Sequence, residues 1–159
     1  MLDVRRLVEG LRPPALDELG LAGACTQAVE RLTAGTGLAV TVKTRGELPA
    51  LPAAVEVAAY RVVVEAVTNT VRHAAARHAQ VLLSHGQAVL TVAVTDDGAG
   101  LAVPPGRADG HGLAIMRERA EELGGSVTVQ DASPGVAVEA RLPAAAAVTP
   151  AVSAPAVSV

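Results

Sequence analysis

Large aromatic side chains are almost absent from this chain, which has no phenylalanine, no tryptophan and one tyrosine, Tyr60. Half of its 159 residues are nevertheless hydrophobic. A chain of this length can build one hydrophobic core and is short for two, so we expect a single folded domain. Its core must consist of valine, leucine and alanine, which bury less area per residue than large rings do.

Charge and cysteine content exclude several classes of protein. The formal net charge is −3, which gives no electrostatic reason to bind the phosphate backbone of a nucleic acid. With Cys25 as the single cysteine, neither an intramolecular disulfide nor a cysteine metal cluster can form, which suits a reducing cytosol. No apolar run approaches the roughly 20 residues that span a bilayer, and no signal-peptide stretch follows Met1. We therefore expect a cytoplasmic segment without membrane contact, whose parent protein could still be membrane-anchored.

Three segments have the apolar period of helices. Residues 16–32 carry apolar side chains at spacings of three and four, and Gly35 then breaks the pattern. Residues 52–76 contain no internal glycine or proline after Pro52 and are predicted to form the main helix. Residues 112–123 return to the helical period before two glycines end it.

Short segments that alternate apolar and polar residues, or are rich in β-branched residues and leucine, predict strands. They are residues 38–44, 81–84, 89–95, 126–130 and 136–142, with a hairpin turn expected at 85–87. The order of helices and hairpins predicts an α+β fold. We expect a two-layer α/β sandwich whose mixed, mostly antiparallel sheet has its helices on one face.

The first chemical motif lies inside the main helix, as Glu65-Ala-Val-Thr-Asn69-Thr-Val-Arg72-His73. At 100° per residue, the four numbered residues fall within about a third of the helix circumference. This stripe offers a carboxylate, a carboxamide that can bind a metal, and two donors for phosphate. An ordinary solvent-exposed helix face with i,i+4 pairs would show the same pattern, so the motif alone does not decide.

The second motif, Asp96-Asp97-Gly98-Ala99-Gly100, comes where a strand is predicted to end. The alternated glycines let the backbone turn sharply and approach a flat ligand, and Asp96 can direct its carboxylate at an exocyclic amine. A plain turn is the alternative. The motif resembles a calcium loop only superficially, because the later ligands are missing.

The third motif, Gly110-His111-Gly112-Leu113, opens the last helix after a loop rich in proline and glycine. Free backbone N–H groups at a helix N-terminus form an anion site suited to nucleotide phosphates. A flexible linker would also contain such glycines.

In this order and with these separations, the three motifs resemble the N, G1 and G2 boxes of the GHKL superfamily of gyrase, heat-shock chaperone, histidine kinase and MutL ATPases. The resemblance covers residues 15–142. Residues 117–125, Arg-Glu-Arg-Ala-Glu-Glu-Leu-Gly-Gly, are similar to the subgroup of sensor kinases related to nitrate sensors. Residues 11–21 resemble the junction between the dimerisation helices and the ATP domain of those kinases.

The resemblance implies the Bergerat ATP-binding fold, ATP as ligand and Mg²⁺ as cofactor. Asn69 would hold Mg²⁺ on the phosphates, and Arg72 and His73 would contact phosphate oxygens. Asp96 would accept a hydrogen bond from the adenine amine. Glu65 would be the catalytic residue, as a general base or a water-orienting group.

The glycine-rich positions have implied roles too. Gly98 and Gly100 would shape the adenine pocket, whereas Gly110, His111, Gly112 and Leu113 would close on the phosphates. The sequence departs from the family at Gly135-Val136, where a threonine often follows the glycine. A hydroxyl near the adenine is therefore missing, and we expect a water or a backbone group to replace it.

The resemblance also divides the chain. Residues 1–14 would be the remnant of a dimerisation helix and its junction, residues 15–143 the ATP-binding catalytic domain, and residues 144–159 a disordered tail of alanine, valine, proline, serine and threonine.

The implied function is the catalytic domain of a two-component sensor histidine kinase, which donates the ATP γ-phosphate to a histidine on a dimerisation domain absent from this chain. Its partners would be that domain and, indirectly, a response regulator, while the isolated chain would be a monomer unable to phosphorylate itself. His78, on a helix end, and His85, in a turn, are expected to be solvent-exposed. The alternatives are a standalone serine kinase of the anti-sigma-factor type and a nucleotide-binding module that only regulates.

Overall fold

The computed structural model describes residues 12–73, 75–100 and 111–145. In chain order, the three helices of these residues are α1 (Pro14–Thr33), α2 (Ala53–His73) and α3 (His111–Glu122). The five strands are β1 (Ala39–Arg45), β2 (His78–Gly86), β3 (Val89–Asp96), β4 (Ser126–Asp131) and β5 (Val136–Pro143).

The five strands form one mixed sheet in the order β1-β2-β3-β5-β4. β1 pairs with β2 in parallel, whereas β2 with β3, β3 with β5, and β5 with β4 are antiparallel. The α2 helix lies in the crossover between the two parallel strands, because parallel neighbours need a long connection. The predicted α+β class and the mostly antiparallel sheet are confirmed.

All three helices pack on the face of the sheet where alternate residues of β2, β3 and β5 are buried. The largest fully buried side chains are leucines, valines and one cysteine: Leu83, Leu90, Leu142, Val63, Val67, Val81, Val92 and Cys25. Tyr60 lies at the margin of this core and is half-buried. Burial raises the pKa of the Cys25 thiol to about 12, so the thiol is an unreactive part of the core. In the described part of the chain, no helix combines the length and apolar character that crossing a membrane requires.

The main helix ends earlier than its sequence predicts. We expected it to continue to about Ala76, but α2 stops at His73, and Ala75 already has a φ of 47°. No glycine or proline marks this end. The pairing of β2 with β1 determines where α2 ends. Since β2 begins at His78, opposite Ala39 of β1, the chain must leave the helix before that residue.

Two histidines lie in different structural contexts from those predicted. His78 is the first residue of β2, not part of a helix end, and its side chain is exposed as expected. His85 is inside β2 and half-buried, so the prediction of a solvent-exposed turn histidine is wrong. The turn lies one step later, at Gln87 and Ala88, whose φ angles of 52° and 60° are those of a two-residue hairpin loop.

The chain continues to pack beyond β5. Ala144 is fully buried, and its N–H donates to the Ala88 carbonyl at 2.8 Å. Its own carbonyl oxygen lies 2.7 Å from Nε2 of His85. The first residue of the segment assigned to the tail therefore closes the β2–β3 end of the sheet. Residues 146–159 and the N-terminal residues 1–11 lie outside the described residues, and the domain boundaries remain predictions.

Candidate functional site

Asp96 is the last residue of β3, where the strand was predicted to end, and its carboxylate is held from two sides. Oδ1 accepts the N–H of Gly98 at 2.9 Å, which folds the side chain back over the start of the glycine-rich loop. Oδ2 accepts from the hydroxyl of Thr70 at 3.3 Å. These contacts fix a half-buried carboxylate at the edge of the sheet, with lone pairs left for a further donor.

Thr70 is a site residue that the sequence analysis did not single out. Among the described residues it is the only polar or charged residue that is buried, with 6% of its surface exposed. The hydroxyl is also 3.0 Å from the carbonyl of Ala66 in the preceding turn of α2, so its single proton is shared between that carbonyl and the Asp96 carboxylate. We expected a water or a backbone group near Asp96 in place of the threonine that follows Gly135 in the family pattern. The hydroxyl of Thr70 lies beside Asp96, and the expectation of a water or a backbone group near the adenine stays a prediction. The position of Thr70 directly after Asn69 is the sequence signal for it.

The loop between β4 and β5 forms a wall beside Asp96. Gly135, in this loop, has a φ of +91°, and a Cβ on it would overlap the backbone carbonyl of Asp96. On the same side, a Cβ on Gly100 would come within 3.0 Å of Oδ1 of Asp131. Glycine is therefore required for this loop and the second motif to approach each other so closely.

The polar stripe of α2 has the arrangement that the helical period predicts. Glu65 and Asn69 are half-buried, and Arg72, one turn later, is exposed. His73 is the last residue of the helix, but its side chain lies outside the described residues. The stripe therefore runs from the packed middle of the helix to its exposed C-terminal end.

The third motif meets α2 at Glu65. Gly112 lies in the first turn of α3, and a Cβ there would overlap the Glu65 carboxylate, so the start of α3 rests directly on this side chain. Leu113 is half-buried and packs against the hydrophobic core, which leaves only its backbone for a ligand. Gly110 lies outside the described residues, as does the side chain of His111, the first residue of α3.

The contacts bring all three motifs to one helix. Thr70 connects α2 to the end of β3, and Glu65 connects α2 to the N-terminus of α3. The arrangement supplies an acceptor for an amine at one end and a carboxylate, a carboxamide and helix N–H groups at the other. We refer to the space bounded by α2, the end of β3 and the start of α3 as the motif cleft, and its groups suit a ligand with a flat polar base and an anionic tail.

The family of "Histidine kinase-, DNA gyrase B-, and HSP90-like ATPase" proteins matches residues 54–146, which include α2, the second motif, α3 and the last four strands. The chain belongs to this ATPase family. Its members' ATP-binding fold explains why the polar stripe, Asp96 and the start of α3 converge. As an ATPase domain, the chain binds ATP.

Curated relatives of this ATPase domain are sensor histidine kinases. The signal transduction histidine-protein kinase/phosphatase DegS of Brevibacillus brevis is 34% identical over 130 residues, which are 82% of this chain and 34% of that protein. The sensor histidine kinase YxjM of Bacillus subtilis is 38% identical over 125 residues, 77% of this chain and 29% of that protein. The chain thus spans about a third of the length of these relatives.

A solved structure of the same fold is the ATP binding domain of PrrB from Mycobacterium tuberculosis. It superposes with a TM-score of 0.59 at 23% identity, over 79% of this chain and 94% of that one. At this identity the likeness establishes the ATPase-domain fold alone, and the prediction of a nitrate-sensor-like subgroup stays a prediction.

The residues of the ATPase cleft fit Mg²⁺ only together with a nucleotide. Among the described residues, no group of three or more histidine, cysteine, aspartate or glutamate side chains could hold a metal ion by itself. Mg²⁺ keeps several waters and is commonly bound by one or two protein oxygens plus substrate phosphates. The half-buried Asn69 carboxamide, one turn from Glu65, is suited to that partial role.

Two cavities lie away from this cleft. One, of about 490 Å³, lies between the kink of α1 at Gly20 and the connection from β1 to α2. The other, of about 350 Å³, lies between the first turns of α2 and the end of α3. Asp96, Asn69 and Glu65 line neither of these two cavities.

Proposed function

We propose that this domain binds Mg·ATP in the cleft between α2, the end of β3 and the N-terminus of α3, and transfers the γ-phosphate to a histidine on a dimerisation domain outside this chain. The observation that carries the proposal is the convergence on α2, where Asp96 reaches Thr70 and Gly112 abuts Glu65. Similarity to sensor histidine kinases supports the choice of acceptor.

At the base end, Asp96 accepts a hydrogen bond from the exocyclic amine of adenine. The bonds from Gly98 and Thr70 hold its carboxylate in place before a nucleotide arrives, so little ordering remains to be done on binding. Guanine presents a carbonyl oxygen where adenine has the amine, and that oxygen would face the carboxylate. The site therefore favours adenine.

At the phosphate end, polar residues of the C-terminal half of α2 would contact the anionic tail. Asn69 would contribute its carboxamide oxygen to Mg²⁺, and Arg72 and His73 would donate to phosphate oxygens. The free N–H groups of the first turn of α3, beginning at His111 and Gly112, add an anion site. When bound, Mg²⁺ neutralises charge that develops on the transferred group.

Glu65 lies where the phosphate end meets the start of α3, and we assign it the catalytic role. Its carboxylate would accept the proton of the attacking nucleophile or orient it toward the γ-phosphate. The two described histidine rings already have partners within the domain. Nδ1 of His78 lies 3.1 Å from Asp97, and Nε2 of His85 lies 2.7 Å from the Ala144 carbonyl. The acceptor histidine is therefore expected on another domain.

Labelling with γ-³²P-ATP tests this function. We expect the chain alone to bind Mg·ATP without labelling itself, and a dimerisation fragment that carries an acceptor histidine to become labelled when it is added. The label must be lost in acid and retained in base, as for phosphohistidine. Glu65→Gln is expected to abolish labelling while nucleotide affinity changes by less than about threefold.

The matched control is Glu118→Gln, which makes the same change at an exposed position of α3 and is expected to leave labelling intact. Acid-stable label on a protein partner would show that the domain acts as a serine kinase and not as a histidine kinase. Tight nucleotide binding with no transfer to any acceptor would leave a regulatory binding module, and absence of nucleotide binding would remove the proposal altogether.

A further inference from the structure

Asp97 follows Asp96 in the second motif but makes a separate set of contacts. Its Oδ1 accepts two backbone N–H groups, that of Arg77 at 2.8 Å and that of His78 at 2.9 Å. Its Oδ2 lies 3.1 Å from Nδ1 of His78, and its own N–H donates to the His78 carbonyl at 3.1 Å. Asp97 thus makes four polar contacts with two consecutive residues, Arg77 and His78.

Arg77 is the last residue of the connection between α2 and β2, and His78 is the first residue of β2. Four residues, 74–77, connect the end of α2 to the start of β2. The Arg77 carbonyl accepts the N–H of Ala39 at 3.0 Å, so β1 anchors the segment from the other side. Asp97 therefore connects the glycine-rich loop to the short connection that follows the helix carrying Asn69 and Arg72.

We propose that Asp97 is a positioning residue for nucleotide binding. It fixes the glycine-rich loop to Arg77 and His78, which follow α2, and so sets the spacing between Asp96 and the phosphate end of that helix. This inference rests on the proposed function of the cleft.

The two neighbouring carboxylates divide the attachment between them. Asp96 reaches Thr70 within α2, and Asp97 reaches Arg77 and His78 where β2 begins, so the dipeptide is fixed at two points, one on each side of the connection between α2 and β2. Two points prevent the loop from rotating about a single contact. ATP must contact Asp96 and the phosphate end at the same time. If the distance between them varied in the free domain, the loop would have to be ordered on binding, and this loss of conformational entropy would lower the affinity for ATP.

The charge state of Asp97 suits this role. The two backbone N–H bonds, with His78 beside them, lower the pKa of Asp97 to about 2, so the carboxylate is ionised at neutral pH. The Asp97 side chain is 40% exposed and that of His78 is 74% exposed. Water can therefore solvate the two N–H groups when the carboxylate is removed, and the effect on folding is separable from the effect on binding.

The experiment compares Asp97→Ala and Asp97→Asn with the wild type and with Glu30→Ala, which removes one carboxylate from an exposed position of α1. Calorimetry gives the dissociation constant for Mg·ATP at a temperature where circular dichroism shows each variant folded. Competition against a fluorescent ATP analogue gives the constant for adenosine, which reaches the base end alone.

We expect Asp97→Ala to weaken Mg·ATP about tenfold and adenosine less than threefold. Asp97→Asn keeps an oxygen that can accept the N–H groups and is expected to stay within about threefold of wild type for both ligands, as is Glu30→Ala. If Asp97→Ala does not fold, Asp97→Glu, whose carboxylate is displaced by one methylene, takes its place with the same tenfold expectation for Mg·ATP.

Wild-type affinity for Mg·ATP in a folded Asp97→Ala variant would overturn the inference and leave the proposed function intact. An equal loss for adenosine and Mg·ATP would also overturn it, since the residue would then act on the base pocket and not on the spacing. A tenfold loss in Asp97→Asn would contradict the hydrogen-bonding basis. If the wild type itself bound no nucleotide, both the proposed function and the inference would be wrong.

Discussion

Replacing Gly135 with alanine tests how closely the β4–β5 loop must approach Asp96. Two costs apply. At φ +91° an L side chain is strained, by roughly 1–2 kcal/mol. In addition, the new Cβ would overlap the backbone carbonyl of Asp96, which has no alternative rotamer, so the loop must move away. Overpacking of this kind costs about 1–3 kcal/mol more.

Gly46→Ala separates the two costs. Gly46 has a φ of +74°, and a Cβ on it would have nothing within 4 Å, so only the backbone strain applies. The gain from a stiffer unfolded chain is the same for both substitutions and cancels in their difference. We therefore expect Gly135→Ala to destabilise the domain by about 1–3 kcal/mol more than Gly46→Ala, or about 4–12 °C in melting temperature.

Far-UV circular dichroism is the suitable assay, because the chain has no tryptophan for fluorescence. Nucleotide affinity is the second readout. Displacement of the loop disturbs Asp96, so Gly135→Ala is expected to weaken Mg·ATP at least tenfold, whereas Gly46→Ala leaves affinity unchanged. Equal melting temperatures for the two variants would refute the reasoning, since the loop would then accommodate a methyl group without moving.

Three further outcomes can be measured. Asp96→Asn is expected to weaken ATP binding by about 10- to 100-fold in calorimetry, because a hydrogen bond to a charged group contributes roughly 1.5–3 kcal/mol; unchanged affinity would reduce the second motif to an ordinary turn. Thr70→Val is expected to weaken ATP several-fold, whereas Thr68→Val, whose hydroxyl contacts only its own helix at 2.6 Å, leaves affinity unchanged; equal effects would remove the hydroxyl from the site. Truncation after Pro143 removes the buried residue that follows β5 and is expected to lower the melting temperature by several degrees, whereas truncation after Ala145 does not; identical melting curves would show that this contact contributes nothing.

Features that depend on local periodicity could be predicted from the sequence. The polar stripe of α2 follows from the helical repeat, and both Glu65 and Asn69 are half-buried where that repeat places them. The end of β3 at Asp96 follows from the change from alternating residues to glycine. The core without large aromatic side chains follows from composition, and the mostly antiparallel character of the sheet follows from the order of elements.

Features that depend on contacts distant in sequence could not be predicted. Thr70 belongs to the core side of α2 by its period, and only the fold brings its hydroxyl to Asp96, 26 residues away. Asp97 looks like a second copy of Asp96 in the sequence, yet it caps the start of β2. The end of α2 and the place of His78 are set by pairing with β1, for which the sequence around residue 74 has no signal.

The absence of large rings and the geometry of the cleft are connected through α2. Val63 and Val67 of this helix are fully buried, and they belong to one core cluster with valines, leucines and an alanine of the sheet. Because interiors are close-packed, the size of these side chains sets how near the helix lies to the sheet. An aromatic side chain in place of Val67 would move α2 away from the sheet. The contact between Thr70 and Asp96 is already 3.3 Å long, so a small displacement would break this hydrogen bond. The small core side chains are therefore part of what places a helix-borne hydroxyl within reach of the strand-end carboxylate.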